Sequence, residues 1–260
     1  MEHKIPSGLF TSIVKYVLKH QEHLSSVLKC FCPRFYFHKK GLRISVAAIV
    51  RIEYEDKFLL IKNHHRTEFY GPFGGVFKYY KTAKQFLDSI EFIPQSTRVT
   101  NAKKQDDLKL DLRGFIPIKY LPSFLIWFKE QKDRETVDCL QREMKEELQE
   151  ASITKDIIEL AKNIQFTKVR TISEGPFFDQ LNSIEYPQYR LIEVYDIVET
   201  ELSKYFLKQL FERASKNHYL LVVERNEIKS LRTYEGQAIA PHAKYFFQTK
   251  WHGKEPLPFK

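Results

Sequence analysis

Residues 142–150 read REMKEELQE, four glutamates in nine residues of a chain whose formal net charge is +9. On a helix Glu143, Glu146 and Glu147 stand at i, i+3 and i+4, so their carboxylates share one face. Without a counter-ion each such like-charge pair weakens a helix by roughly 0.2–0.5 kcal/mol, so the arrangement asks for a cation. Two readings supply one. Arg142 and Lys145 can neutralise the face themselves, leaving a solvated, self-paired surface. Alternatively a hard divalent ion, Mg²⁺ or Mn²⁺, takes the carboxylate oxygens and bridges them to phosphates. Between Glu135 and Glu150 six acidic residues face two basic ones. That local reversal inside a basic chain fits a cation site.

Outward from this run, Thr136 to Glu150 forms a patterned helix with Val137, Leu140, Met144 and Leu148 on its apolar side. RISVAAIVRIEY from Arg43 and KFLLIK from Lys57 read as paired strands joined at Glu55-Asp56, followed by the glycine-rich stretch from Tyr70 to Phe77. A helix is expected at 82–90, a polar loop near 94–107, a short strand in LKLDLRG (108–114) and a helix over 121–130. Later strands are expected at 164–170, 189–198 and 219–228, with a helix between Leu202 and Ala214. Strands and helices mix without a βαβ rhythm, which favours an α+β fold with a mixed sheet.

Residues 1–42 differ from the rest. Leu9, Phe10, Ile13, Val14, Val17, Leu18, Leu24, Val27 and Leu28 recur at spacings of three and four, giving a basic amphipathic helical appendage before a main domain at 43–260. Eight Lys and Arg against two Glu lie between Met1 and Arg43, so nucleic acid or a membrane surface is an alternative partner for this part. His20, His23, Cys30 and Cys32 are a poor zinc set, because a C-x-C pair is too tight for the usual spacings. Three cysteines without a secretory signal point to a reducing cytosol, and no run approaches the ~20 apolar residues that span a bilayer. A pI of about 9.2 suggests anionic partners, nucleotides among them.

REMKEEL resembles the second half of the Nudix box, and GPFGG (71–75) resembles the glycine turn that opens it. In that box the Arg follows the second glycine by 14 residues. Here Arg142 follows Gly75 by 67, so an insertion of about 50 residues, near 76–133, lies inside the motif. This layout, with GPFGGVFKYY before the insertion and IAPHAKYFF near the end, is similar to the CD-NTase-associated (SMODS-associated) Nudix domains of bacterial cyclic-nucleotide antiphage systems. The resemblance implies a Nudix fold, a mixed sheet sandwiched by helices, that hydrolyses a nucleoside diphosphate linked to another group with Mg²⁺ or Mn²⁺. It implies Glu143, Glu146 and Glu147 as metal ligands together with the Gly74 carbonyl, and Arg142 as the residue orienting the carboxylates. CD-NTase system partners are implied in the same way. The box departs from its pattern at Arg134, where Glu is expected with Glu135 one position away, and at Gln149, where Gly is expected.

A further carboxylate serves as base in this family, and Glu174, Glu193 and Glu224 are the candidates. Arg66, Lys78 and Tyr80 are candidate substrate contacts, by phosphate pairing and base stacking. The inserted segment is expected to lid or widen the pocket. His242 reads as a helix-start or core histidine. Two rivals stand beside the hydrolase: a Nudix-fold sensor that binds a nucleotide without turning it over, and a nucleic-acid-binding protein that works through its basic appendage.

Overall fold

A computed structural model of the chain describes residues 41–62, 68–98, 110–130, 132–178 and 186–248. The appendage reading, Arg66 and the His/Cys set of the first 40 residues lie outside them. The strands are β1 (Leu42–Tyr54), β2 (Lys57–Lys62), β3 (Phe69–Gly71), β4 (Phe73–Val76), β5 (Ile93–Pro94), β6 (Arg113–Ile116), β7 (Phe166–Phe178), β8 (Pro187–Ile197), β9 (Leu220–Glu224) and β10 (Ala238–Ile239). The helices are α1 (Lys84–Ser89), α2 (Leu121–Glu130), α3 (Val137–Glu150), α4 (Lys155–Ala161), α5 (Glu201–Ala214) and α6 (Arg225–Ser230). The sheet is mixed: β10 runs parallel to β3, whereas β2 is antiparallel to β1, β3 and β9. None of the described helices is long and apolar enough to cross a membrane.

Contacts divide the chain into two compact units. One contains Ala48–Gly75, Val137–Ile172 and Ile192–Lys260. Its β1–β2 hairpin pairs Ile52 with Leu59 and Tyr54 with Lys57. Glu55 and Asp56 both take positive φ, 49° and 60°, the tight turn whose twist suits a two-residue hairpin. Phe58, Leu60, Val194, Val223, Ile239 and Phe246 fill the core. Within this unit α3 buries Cys139, Leu140, Met144 and Leu148, one face at helical spacing, and α4 packs on α3. The helix ends where Ser152 turns left-handed (φ 56°) and Asn217 Nδ2 donates to the Ala151 carbonyl at 2.7 Å.

The other unit contains Val76–Thr136 and Ser173–Leu191 with the described residues before Ala48. The first half of β1 pairs antiparallel with β6, Leu42 opposite Ile116, and β5 adds to β6. Its core comes from the inserted segment. Phe124 and Phe128 of α2 are buried, Phe86 stacks on Trp127 at 5.0 Å, and Phe77 meets Phe128 edge-on. The described residues of the insertion therefore form a packed body. Its ends close on each other: the Glu135 N–H donates to the Lys78 carbonyl, the Tyr80 N–H donates to the Asp133 carbonyl, and Tyr79 bridges Arg134.

Three expectations are corrected. The strand expected at 108–114 is formed instead by Arg113–Ile116, because Leu42–Ser45 supply a pairing edge to those residues. The run expected as strand over 219–228 breaks at Glu224, where the Glu227 carboxylate accepts the Glu224 N–H and starts α6. The strand expected at 164–170 runs on to Phe178 as β7, through residues whose alternation is masked by Gly175 and Pro176.

Candidate active site

The Gly-Gly turn and the acidic helix meet within one unit. The Gly74 N–H donates to Glu147 Oε2 at 3.0 Å. Gly74 has φ +135°, and a Cβ there would overlap the Ala48 carbonyl, so only glycine fits. At Gly75 a Cβ would overlap the carboxylate of Glu143. The missing side chain at Gly75 is thus the seat of the Glu143 carboxylate.

Arg142 lies beside these groups. Its Nη1 donates to Glu143 Oε1 at 2.5 Å and lies 3.5 Å from Glu146 Oε2. Glu143 and Arg142 are largely buried, at 17% and 21% side-chain exposure, whereas Glu146 is half-exposed at 52%. The residues implied to orient and to be oriented are therefore in contact. Gly74 enters this arrangement through its N–H, which Glu147 accepts.

The Glu147 carboxyl is pushed well above the usual carboxylate range. Burial is the main cause; Glu143, Glu150 and Glu146 add like-charge repulsion, and the Gly74 N–H opposes it. Ionising Glu147 here leaves negative charge without enough compensation, which is the electrostatic requirement a cation meets. All donors are hard carboxylate oxygens, the set that Mg²⁺ and Mn²⁺ prefer. Among the described residues no group of three or more His, Cys, Asp or Glu is already arranged as a ligand cage. Mg²⁺ seldom uses such a cage; it binds through one or two carboxylates, waters and substrate phosphates. The residues present fit such an ion.

Lys78 and Tyr80 belong to the unit built by the insertion. The Lys78 N–H donates to Glu135 Oε2 at 2.8 Å, and Tyr80 is 44% exposed. Glu135 thus uses its carboxylate to fasten the base of the insertion. Arg134, where the pattern has Glu, is buried; its guanidinium lies 3.5 Å from the Phe128 ring centroid and donates to the carbonyls of Phe128 (2.8 Å) and Glu135 (2.6 Å).

The three base candidates also differ. Glu193 is buried and held by the Tyr195 hydroxyl at 2.6 Å and Lys168 Nζ at 3.1 Å. Glu224 is exposed at the start of α6, and Glu174 is buried in the insertion's unit. Sequence reasoning missed the seating of Glu143 on Gly75. Its signal was the second glycine of the doublet, but recognising it requires the 68-residue separation to close in space.

A mixed sheet with a glutamate-bearing helix seated on a Gly-Gly turn defines a Nudix-type domain. More narrowly, the family model described as the SMODS-associated NUDIX domain matches residues 41–247, and the chain belongs to that family. No curated protein and no solved structure matches the chain.

Proposed function

We propose that the protein is a metal-dependent hydrolase of a nucleoside diphosphate linked to another moiety, working in a CD-NTase-linked antiphage setting. The observation that carries this reading is the seating of Glu143 and Glu147 on the Gly74-Gly75 turn, with Arg142 bonded to Glu143. Glu143, Glu146 and Glu147 would hold Mg²⁺ or Mn²⁺, which when bound neutralises phosphate charge and lowers the pKa of a water. Arg142 keeps the Glu143 carboxylate in place and biases Glu146 towards the same face. The Gly74 N–H fixes one oxygen of Glu147 and leaves the other for a cation or a water proton.

The ionised form of Glu147 is costly in the metal-free protein, so metal binding and proton release at this carboxyl are coupled. The test is single-turnover hydrolysis across a nucleotide panel with Mg²⁺ and Mn²⁺, beside equilibrium binding of the same nucleotides. Glu147→Gln retains the Gly74 contact and loses the charge. Turnover should fall about 100-fold, equivalent to about 2.7 kcal/mol at the chemical step, while ground-state affinity changes far less.

A sensor that binds without turnover is the second reading. It is favoured by Arg134, which stands buried among aromatic rings where the family pattern has a carboxylate. Wild-type inactivity across the panel, with intact nucleotide recovered from the protein, decides for the sensor.

A further inference from the structure

The unit built by the insertion carries positive charge on one face of its sheet. Arg43 lies on β1 and Arg113 on β6, with Arg43 paired to Phe115 and Ser45 paired to Arg113. Arg43 and Ser45 point to the same side, so Arg113 is the diagonal neighbour of Arg43, at a spacing of about 7–8 Å. β8 also pairs with β1. Gln188 of β8 reaches Arg43, and Arg190 stands two residues further along the same strand, hence on the same face. Three guanidinium groups from three strands thus converge.

The partners of Arg43 are unusual for a part-buried cation. Its Nε donates to Gln95 Oε1 and its Nη1 to Gln188 Oε1, both at 3.1 Å. Among the described residues its acceptors are these two neutral amides, and no carboxylate is ion-paired with it. Burial and then the like charge of Arg113 draw its pKa down to about 10, Arg190 adding to this and Tyr186 opposing it. Gln188 is only 2% exposed, and among the described residues its Nε2 has no hydrogen-bond acceptor. A part-buried guanidinium held by amides, beside a buried amide donor that lacks an acceptor among the described residues, forms a donor-rich site that a polyoxygen anion would complete. Aromatic rings border it: Phe115 meets Tyr186 edge-on at 5.0 Å, and Arg190 lies over Phe177 at 5.2 Å.

We propose that Arg43, Arg113 and Arg190, with Gln188, form a phosphoryl-binding site on this sheet face, separate in its residues from the acidic helix and independent of divalent metal. The guanidinium fork matches two phosphate oxygens at once, a geometry an ammonium does not offer. The bordering aromatics suit a phosphoryl group carried by a nucleotide.

The experiment uses the full chain in EDTA, which silences any metal at the acidic helix, and titrates pyrophosphate and ADP by calorimetry. Both probes should bind, and Glu147→Gln should leave that binding unchanged, which keeps this outcome distinct from success or failure of the hydrolase reading. Arg43→Gln should weaken both probes at least about tenfold, whereas Lys81→Gln, at an exposed lysine of the same unit, should leave them alone. Gln188→Glu guards against a folding artefact. It keeps the shape of the side chain and gives Arg43 an internal anion, so thermal stability should hold or rise while pyrophosphate and ADP affinity fall at least about tenfold. ADP binding tighter than pyrophosphate identifies the nucleotide form of the ligand, and equal affinities identify the phosphoryl group alone. Absence of metal-free binding of either probe overturns the proposal, and so does affinity unchanged in both Arg43→Gln and Gln188→Glu.

Discussion

At Glu147 one carboxyl experiences two opposed demands, and they give opposite pH dependences. Its folded pKa lies above its unfolded one because burial and three neighbouring glutamates resist ionisation. Between those two values the folded state binds more protons than the unfolded state, so metal-free stability should fall as pH rises from the ordinary carboxylate range to the raised value, then level off. Cation binding requires the ionised form, so Mn²⁺ affinity should climb through the same window. Chemical unfolding in EDTA over a pH series, with Mn²⁺ titrated in parallel by electron paramagnetic resonance, reads both trends. Glu147→Gln should flatten the stability trend, raise metal-free stability at neutral pH by at least about 0.5 kcal/mol, through relief of the burial cost first and of like-charge repulsion second, and lower Mn²⁺ affinity. A stability curve equally steep in wild type and variant would assign the dependence to other groups.

At the scale of elements, legibility followed the range of the interactions. The β1–β2 hairpin, α2, α3 and α5 were readable because their signals are local: alternation around a turn, helical spacing of apolar residues, and for α5 the Thr200 cap whose hydroxyl oxygen accepts the Ser203 N–H at 3.0 Å. The acidic cluster was legible for the same reason, being contained within two turns of α3. Elements shaped by tertiary partners were not. The end of β9 depends on Glu227 reaching back to Glu224, β6 takes its bounds from the edge of β1, and α4 is a seven-residue helix too short to announce itself. Arg134 is the clearest case: in sequence it is a lost glutamate, and in space it locks the return of the insertion by binding two backbone carbonyls between aromatic rings. Restoring the family residue should therefore do harm. Arg134→Glu places a carboxylate against two carbonyl oxygens in a buried site and should destabilise the protein by about 3–5 kcal/mol, read as a lowered midpoint in urea. A variant as stable as wild type would show that the guanidinium is not what holds the insertion closed.

For the molecule as a whole, charge and fold are distributed along the chain in different ways. The family match starts at residue 41 and β1 at Leu42, where Gly41, with φ +73°, brings the chain against the Ile116 carbonyl and Leu42 begins its pairing with Ile116. The described strands and helices that carry Glu143, Glu146, Glu147 and Arg43 all fall within the residues that the family model matches. The first 40 residues hold seven Lys and Arg against two Glu, five of the nine net positive charges, so removing them leaves a net charge of +4. If the appendage is a separate body, deleting residues 1–40 should preserve a cooperative thermal transition, Mn²⁺ binding at the acidic helix and metal-free pyrophosphate binding. It should also discriminate among partners. Non-specific affinity for duplex or single-stranded nucleic acid, carried by phosphate contacts, weakens steeply with salt and loses a slope of about 0.9 for each duplex contact removed. A full-length chain whose nucleic-acid binding is strong and salt-steep, and is abolished by the deletion while nucleotide binding survives, would make the appendage the working part of a nucleic-acid-binding protein. The hydrolase reading expects the converse, in which nucleotide turnover in the shortened chain matches that of the full one. A molten or insoluble shortened chain would instead place residues 1–40 within the core and move the domain boundary towards the amino terminus.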